Sequence, residues 1–396
     1  MLFNRPHAIH QLARDDVGRD LARLGGLEGF SRSLTVTVLP LAVLDALGSK
    51  AAVSNAYFAG SLLAFCATLN VGRFEQLIAR RWVLTIAMTG MVLANVLVVS
   101  VDGPSLALAV SLVNTSSAIF AVLIALFIME YIGRRELARN ESRRMIHNGV
   151  AWGIGPLISV WLYTDVAEWT PFALAGLCSC ATLAYFWWLR IGPNAALSAP
   201  REPAPSPLAN IPRYFRQRYL RIAYVITLVR GTFWASLFVY APLYILEAEL
   251  PSMLTGGLVS IVAALLLASP LTLRAVDMTS TKTVMIAGFV LIAASLLALA
   301  AIGPAEPVGV VFWVTGALGA SWLDVLGNIP FMRTVRPRER TAMATVFSSW
   351  RETSAVVAPG LGALVLVVAP FWVYYVVVAA MALATAMYVT YLPARI

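Results

Sequence analysis

A chain of 396 residues that is 60% hydrophobic and only 12% charged, with a mean hydropathy of +0.79, is too apolar for a water-soluble domain, in which about a quarter of residues are charged. The net charge of +9 does not call for a nucleic-acid partner, because the bases gather in the polar gaps between apolar runs, the distribution expected of cytoplasmic loops. The runs suit spanning helices rather than barrel strands, so an all-α polytopic membrane protein is expected.

The first 26 residues mix Arg14, Asp15, Asp16, Arg19 and Asp20 with apolar positions. They contain no apolar core followed by a cleavage site, so 1–26 reads as a cytoplasmic segment rather than a cleavable signal. Ile9, Leu12, Val17, Leu21 and Leu24 would form one stripe of a short helix lying on the membrane surface. Twelve spans follow, at 27–47, 51–70, 82–101, 105–132, 144–163, 169–189, 222–246, 254–273, 283–303, 308–332, 342–367 and 370–392. Each is near the ~20 residues that a bilayer requires. With the amino terminus inside, the bases of Arg73, Arg80, Arg81, Arg134, Arg135, Arg139, Arg143, Arg144, Arg274, Lys282, Arg333, Arg336, Arg338 and Arg340 fall in cytoplasmic loops. The outside loops hold Lys50 as their one base. This alternation places both termini in the cytoplasm of a cell membrane of the bacterial inner-membrane type. Cys66, Cys178 and Cys180 all fall in apolar spans, so neither a disulfide framework nor a metal site is expected.

Residues 191–221 hold Pro193, Pro200, Pro203, Pro205, Pro207 and Pro212, a composition that suits an extended cytoplasmic linker between halves at 27–190 and 222–396. Its end, Arg213 to Arg221, is basic and aromatic; it reads as a nucleic-acid or anionic-lipid contact, or as an anchor at the headgroup boundary, and the anchor is favoured. The halves echo each other. Glu28, Gly29 and Pro40 lie 202 residues before Arg230, Gly231 and Pro242. Met129–Leu137 precedes Met332–Arg340 by 203, and Gly155-Pro156 precedes Ala358-Pro359 by the same offset. Two six-helix, pseudo-symmetric halves of like orientation form the parallel-repeat layout of one large transporter class.

At Gly72-Arg-Phe-Glu-Gln76-Leu77-Ile-Ala79-Arg80-Arg81 the chain resembles the loop signature of the major facilitator superfamily, G-x-x-x-D-R-x-G-R-[RK], with Gly72, Arg80 and Arg81 matching it and Gln76, Leu77 and Ala79 departing from it. Asp277 and Lys282 restore parts of the signature in the second half. Gly155 and Pro156 resemble the Gly-Pro of the family's span-five motif G-x-x-x-G-P-x-x-G-G, which goes with proton-coupled exporters; its closing glycines are replaced. The resemblance covers essentially the whole chain. It implies a twelve-helix secondary transporter in which spans one, four, seven and ten line a central cavity.

On that implication Glu28, Arg230 and Asp324 face the cavity. Arg230 would engage an anionic or polar substrate group, and Asp324, with Glu28 or Glu352, would exchange protons. A static charge pair pinning spans seven and ten is the plainer alternative for Arg230 and Asp324, and Arg32, one turn past Glu28, can simply neutralise it. Arg351 and Glu352 are neighbours ~100° apart on a helix, so they cannot address one spot. They read equally as a cytoplasmic gate or as substrate contacts. Phe233, Tyr240, Tyr244 and Trp322 are candidate cavity aromatics, with packing as their alternative. No nucleotide loop, metal cluster or nucleophile constellation is visible, so no enzyme activity, cofactor or metal is expected. The expectation is a monomer that moves a small organic solute by alternating access, coupled to protons, with export slightly ahead of uptake. A non-transporting sensor or scaffold and a lipid-handling membrane protein remain as alternatives.

Overall fold

The computed structural model describes residues 6–100, 103–131, 137–189, 207–265, 269–336 and 339–393. The 132–136 part of the repeated basic stretch, Arg338, and residues 190–206 of the expected linker region lie outside the described residues. Among the described residues every regular element is helical. Ten stretches of the described residues are long and apolar enough to cross a membrane. The other two expected spans, 144–163 and 254–273, fall on α6 (Leu137–Trp161) and on α10 (Met253–Leu265) followed by α11 (Ser269–Met278). The polar first half of α6, with Arg139, Glu141, Arg143 and Arg144, dilutes its apolar character.

The chain forms two compact units, Met1–Val38 with Leu63–Arg201, and Leu39–Leu62 with Glu202–Ile396. The first contains α1 (Pro6–Val36), the latter part of α3 (Lys50–Leu77), α4 (Arg80–Ser100), α5 (Leu106–Tyr131), α6 and α7 (Thr170–Trp188). Within it α1 packs on α6 and α7, and α4 on α5 and α7. The second contains α2 (Leu39–Leu47), the start of α3, α8 (Pro207–Arg216), α9 (Arg218–Glu247), α10, α11, α12 (Thr281–Ile302), α13 (Gly309–Leu326), α14 (Ile329–Thr334), α15 (Arg340–Ser348), α16 (Trp350–Val368) and α17 (Trp372–Val389). There α9 packs on α16 and α17, and α12 on α13 and α17. The packing order of the first unit therefore recurs in the second. The residues 39–62 belong to the second unit although they precede the linker.

Small residues set the helix contacts, as expected where lipid tails supply no drive for helices to associate. A Cβ on Gly29 would stand 2.6 Å from the Asn148 Oδ1, and one on Gly231 2.8 Å from the Ser354 Cβ. These glycines are the repeat partners 202 residues apart, and each meets the matching helix of its own unit. On Gly155 a Cβ would stand 1.9 Å from the Ser33 Oγ and 2.8 Å from its Cβ. The span-five motif residues Gly155 and Pro156, both buried, thus seat α6 on α1.

The helix α1 is continuous, with Leu21, Ala22 and Leu24 fully buried. The expected boundary at residue 26 falls within this helix. Along this helix Gly25, Gly26 and Gly29 let Arg144, His147 and Asn148 of α6 approach closely. The helix stops at Val36 and α2 restarts at Leu39, with Pro40 in its first turn, where a missing N–H costs little. Gly48, at φ 71°, ends α2 in the left-handed conformation, its N–H bonded to the Leu44 carbonyl at 2.8 Å.

The basic aromatic stretch at 213–221 divides at Gln217 between α8 and α9. Tyr214 is fully buried in a cluster with Leu220, Tyr224, Phe331, Met343 and Phe347. Glu339 receives hydrogen bonds from Arg213 and, at 3.0 Å, from Gln217. These bonds hold its carboxyl below the ordinary carboxylate range. A carboxylate depressed on folding adds stability that is present above its unfolded pKa and is lost as pH falls through the folded one. The protection factors of the α8 amides, with the intrinsic pH dependence of exchange divided out, should therefore be unchanged from pH 8 to pH 6 and fall only below the usual carboxylate range. Protection factors constant down to pH 3 would contradict this anchoring.

Introducing Gly155→Ala should destabilise the protein by roughly 1–3 kcal/mol through overpacking. In a Ser33→Gly background the same change should cost clearly less, as read by thermal unfolding in detergent. Equal costs in the two backgrounds would show that Ser33 is not the contact that matters.

Candidate functional site

The helix α9 carries Arg230 in the middle of an apolar run, flanked by Gly231 and Thr232. A guanidinium cannot lose its charge there, so the surroundings must compensate it. Three groups do so. The Asp324 carboxylate of α13 lies 3.2 Å from the Nε, although that N–H is not aimed well enough to hydrogen-bond. The Nη1 donates to the Leu323 carbonyl at 3.0 Å. The face of Trp350, at the start of α16, lies 4.6 Å from the guanidinium carbon, within cation–π range.

The geometry depends on a break in α13. That helix ends at Leu326, and α14 restarts at Ile329 with Pro330 in its first turn. A Cβ on Gly327 would stand 2.8 Å from the Arg230 Nη1, so only glycine admits the arginine here without displacement. The two partners are unequally open. The side chain of Arg230 is 4% exposed and that of Asp324 28%. The acid is the member that solvent or a ligand can reach.

The guanidinium of Arg351, from the next position of α16, lies 5.5 Å from the same Trp350 ring. Two cations therefore lie near one indole, and the Asp324 carboxylate faces the first. Neither composition nor spacing singled out Trp350. Its one visible signal was its place beside Arg351, which aligns with Asn148 in the repeat.

The remaining expected residues distribute as follows. Glu28 is buried; it accepts a hydrogen bond from the Ser117 Oγ at 2.7 Å and pairs with Arg32 at 3.7 Å. Glu352 is half-buried on the azimuth beside Arg351, and Trp322 is also half-buried. Phe233, Tyr240 and Tyr244 are buried and engaged in packing rather than lining open space. Phe233 meets Trp313 at 6.2 Å between centroids and presses on Gly316. Tyr240 bonds Ser54 at 2.9 Å and presses on Gly362. Tyr244 donates to the Glu306 carbonyl at 2.9 Å. Their helical spacing reflects one face of α9 packed against neighbours within its own unit. Gly72, Arg81 and Asp277 are exposed. Arg80 forms a two-pronged pair with Glu75, at 2.6 and 3.2 Å, and lies over Phe127.

Replacing Asp324 with Asn leaves Arg230 without a counter-charge and should destabilise the folded protein by roughly 2–3 kcal/mol. Combining it with Arg230→Met should recover most of that loss in thermal unfolding. A double variant no more stable than Asp324→Asn would show that the pair does not neutralise itself.

Comparison with known proteins agrees with this architecture. A sequence model of the Major Facilitator Superfamily matches residues 24–279. Among solved structures, the nucleoside transporter NupG superposes with a TM-score of 0.71 at 14% identity, covering 94% of this chain and 98% of that one. A POT family transporter in complex with a thioalcohol conjugated peptide gives a TM-score of 0.74 at 12% identity, covering 93% and 95%. A POT family transporter in complex with 5-aminolevulinic acid gives 0.73 at 11%, with the same coverage. No curated protein matches the sequence. With the family model matching well over half of the chain, and with helices throughout the described residues, this protein belongs to the Major Facilitator Superfamily.

Proposed function

We propose that the protein is a secondary active transporter that moves a small organic solute bearing an anionic group by alternating access, coupled to protons. The supporting observation is the arrangement around Trp350, where Arg230 and Arg351 both lie within cation–π range of the ring and Asp324 pairs with Arg230. Such a centre combines guanidinium groups with an aromatic face, and it complements a carboxylate or phosphate on a partly flat molecule. The similar solved structures include transporters of nucleosides and of peptides, consistent with a polar organic cargo.

Asp324 is suited to carry the coupling proton because it is the open member of the pair. Protonation would weaken its hold on Arg230 and free that guanidinium for the substrate anion. Substrate release would restore the pair. In this reading twelve spans form two six-helix halves joined by the 191–221 linker, both termini are cytoplasmic, and Glu28 supports the first half through Ser117 and Arg32. The partial span-five motif at Gly155 and Pro156 favours export slightly over uptake in this reading. The motif-loop residues Gly72, Arg80, Arg81 and Asp277 are assigned to gating.

Reconstituted vesicles separate exchange from coupling. Arg230→Ala should lower both substrate counterflow and proton-driven accumulation by at least about tenfold. Asp324→Asn should keep counterflow within a few-fold and abolish accumulation driven by a pH gradient. Arg351→Gln should raise the KM with little change in the maximal rate. Accumulation that survives Asp324→Asn would remove the proton role from this residue, and unchanged transport by Arg230→Ala would remove the site.

A further inference from the structure

Away from the Arg230 centre, the first unit has a groove of ≈ 670 Å³ between α6 and α7, floored by α1. Its position follows from the azimuths of α1. Gly29 and Ser33 face α6, and Ser31 faces α7 through Ser179 and the Ala175 carbonyl, both at 2.8 Å. Leu27 and Phe30 point between these contacts and form the floor. Ile146 and Val150 of α6 form one wall. They begin an exposed apolar row that continues through Ile154, Leu157 and Trp161. That spacing is one helix face, and in a spanning helix an exposed apolar face meets hydrocarbon.

One end of the groove is polar. Tyr185 of α7 donates to Asp20 at 2.7 Å, and Arg23 pairs with the same carboxylate at 3.2 Å while its side chain stays 58% exposed. His147 completes the lining there, with Arg19, Asp20 and Arg144 close in sequence. An apolar trough open to lipid, ending at the exposed Arg23 guanidinium, matches an amphiphile with an anionic head. We infer that this groove holds one anionic phospholipid, its acyl chain along Leu27, Phe30, Ile146 and Val150 and its phosphate at Arg23. The volume lies in the range of ~300–1,000 Å³ usual for a single bound small molecule. The inference requires only that this unit spans a bilayer, so it stands or falls apart from the transport reading.

The test is native mass spectrometry of the full chain in detergent, titrated with phosphatidylglycerol or with phosphatidylcholine of matched acyl chains. One phosphatidylglycerol should bind first, at least about fivefold tighter than phosphatidylcholine, as one basic residue at a lipid surface supplies. Arg23→Gln should remove that preference, and Val150→Trp, which fills the trough from an exposed position, should weaken both lipids. If Arg23→Gln is not monodisperse, Val150→Trp alone decides the matter. Equal affinity for the two lipids, or parental phosphatidylglycerol binding by Val150→Trp, would overturn the site. Displacement of the lipid by millimolar glycerol phosphate would also overturn it, by showing a free-phosphate site.

Discussion

The second unit is built around one constraint, a permanent positive charge that an apolar helix must keep inside the membrane. A guanidinium at the centre of a bilayer costs roughly 3 kcal/mol or more unless it is compensated. The carboxylate of Asp324, the carbonyl of Leu323 and the face of Trp350 approach Arg230 from two different helices. The break at Gly327, the small neighbour Gly231 and the placement of Trp350 at the head of α16 all follow from bringing those groups within reach. Removing any of them would leave the charge less well compensated, which couples α9, α13 and α16 energetically.

Close approach is the second organising factor, and it explains why glycine recurs where it does. With no hydrophobic gain on moving a leucine from lipid to a helix interface, association rests on contact and on polar pairs between backbones that can come near. Gly29 and Gly155 allow this for α1 and α6, and Gly231 does so for α9 and α16. The hydroxyl contacts of Ser31, and of Ser236 with Tyr374, add polar fixings inside each unit. A family motif written as Gly-Pro thus has a mechanical meaning here, as the place where two spanning helices touch.

Much of the architecture could be read from the sequence because membrane insertion imposes coarse rules. Length and hydropathy locate spans, and the 202–203-residue echo anticipates that packing in one unit recurs in the other. The pairing of Arg230 with Asp324 was legible too, since lone charges in apolar runs require partners. Three features were not. The continuity of α1 through residues 21–26 depends on tertiary burial of Leu21 and Leu24, which a polar, charged segment conceals. The aromatic row on α9 has the spacing that cavity walls and packed interfaces share, and spacing alone does not show the partners of Phe233, Tyr240 and Tyr244. The attachment of residues 39–62 to the second unit depends on contacts such as Lys50 with Glu247 and Ser54 with Tyr240, which join positions nearly two hundred residues apart.

The hydrogen bond from Arg230 to the Leu323 carbonyl has a consequence of a different kind. A main-chain oxygen does not titrate, and it survives every substitution at position 323 other than those that unfold the helix. Part of the arginine's anchorage is therefore written in the backbone, where no alanine scan would find it. In the proposed proton cycle it would persist while the carboxylate changes state. The cation would then be a fixed post and the acid a moving latch, a division of labour set by which partner is a peptide group.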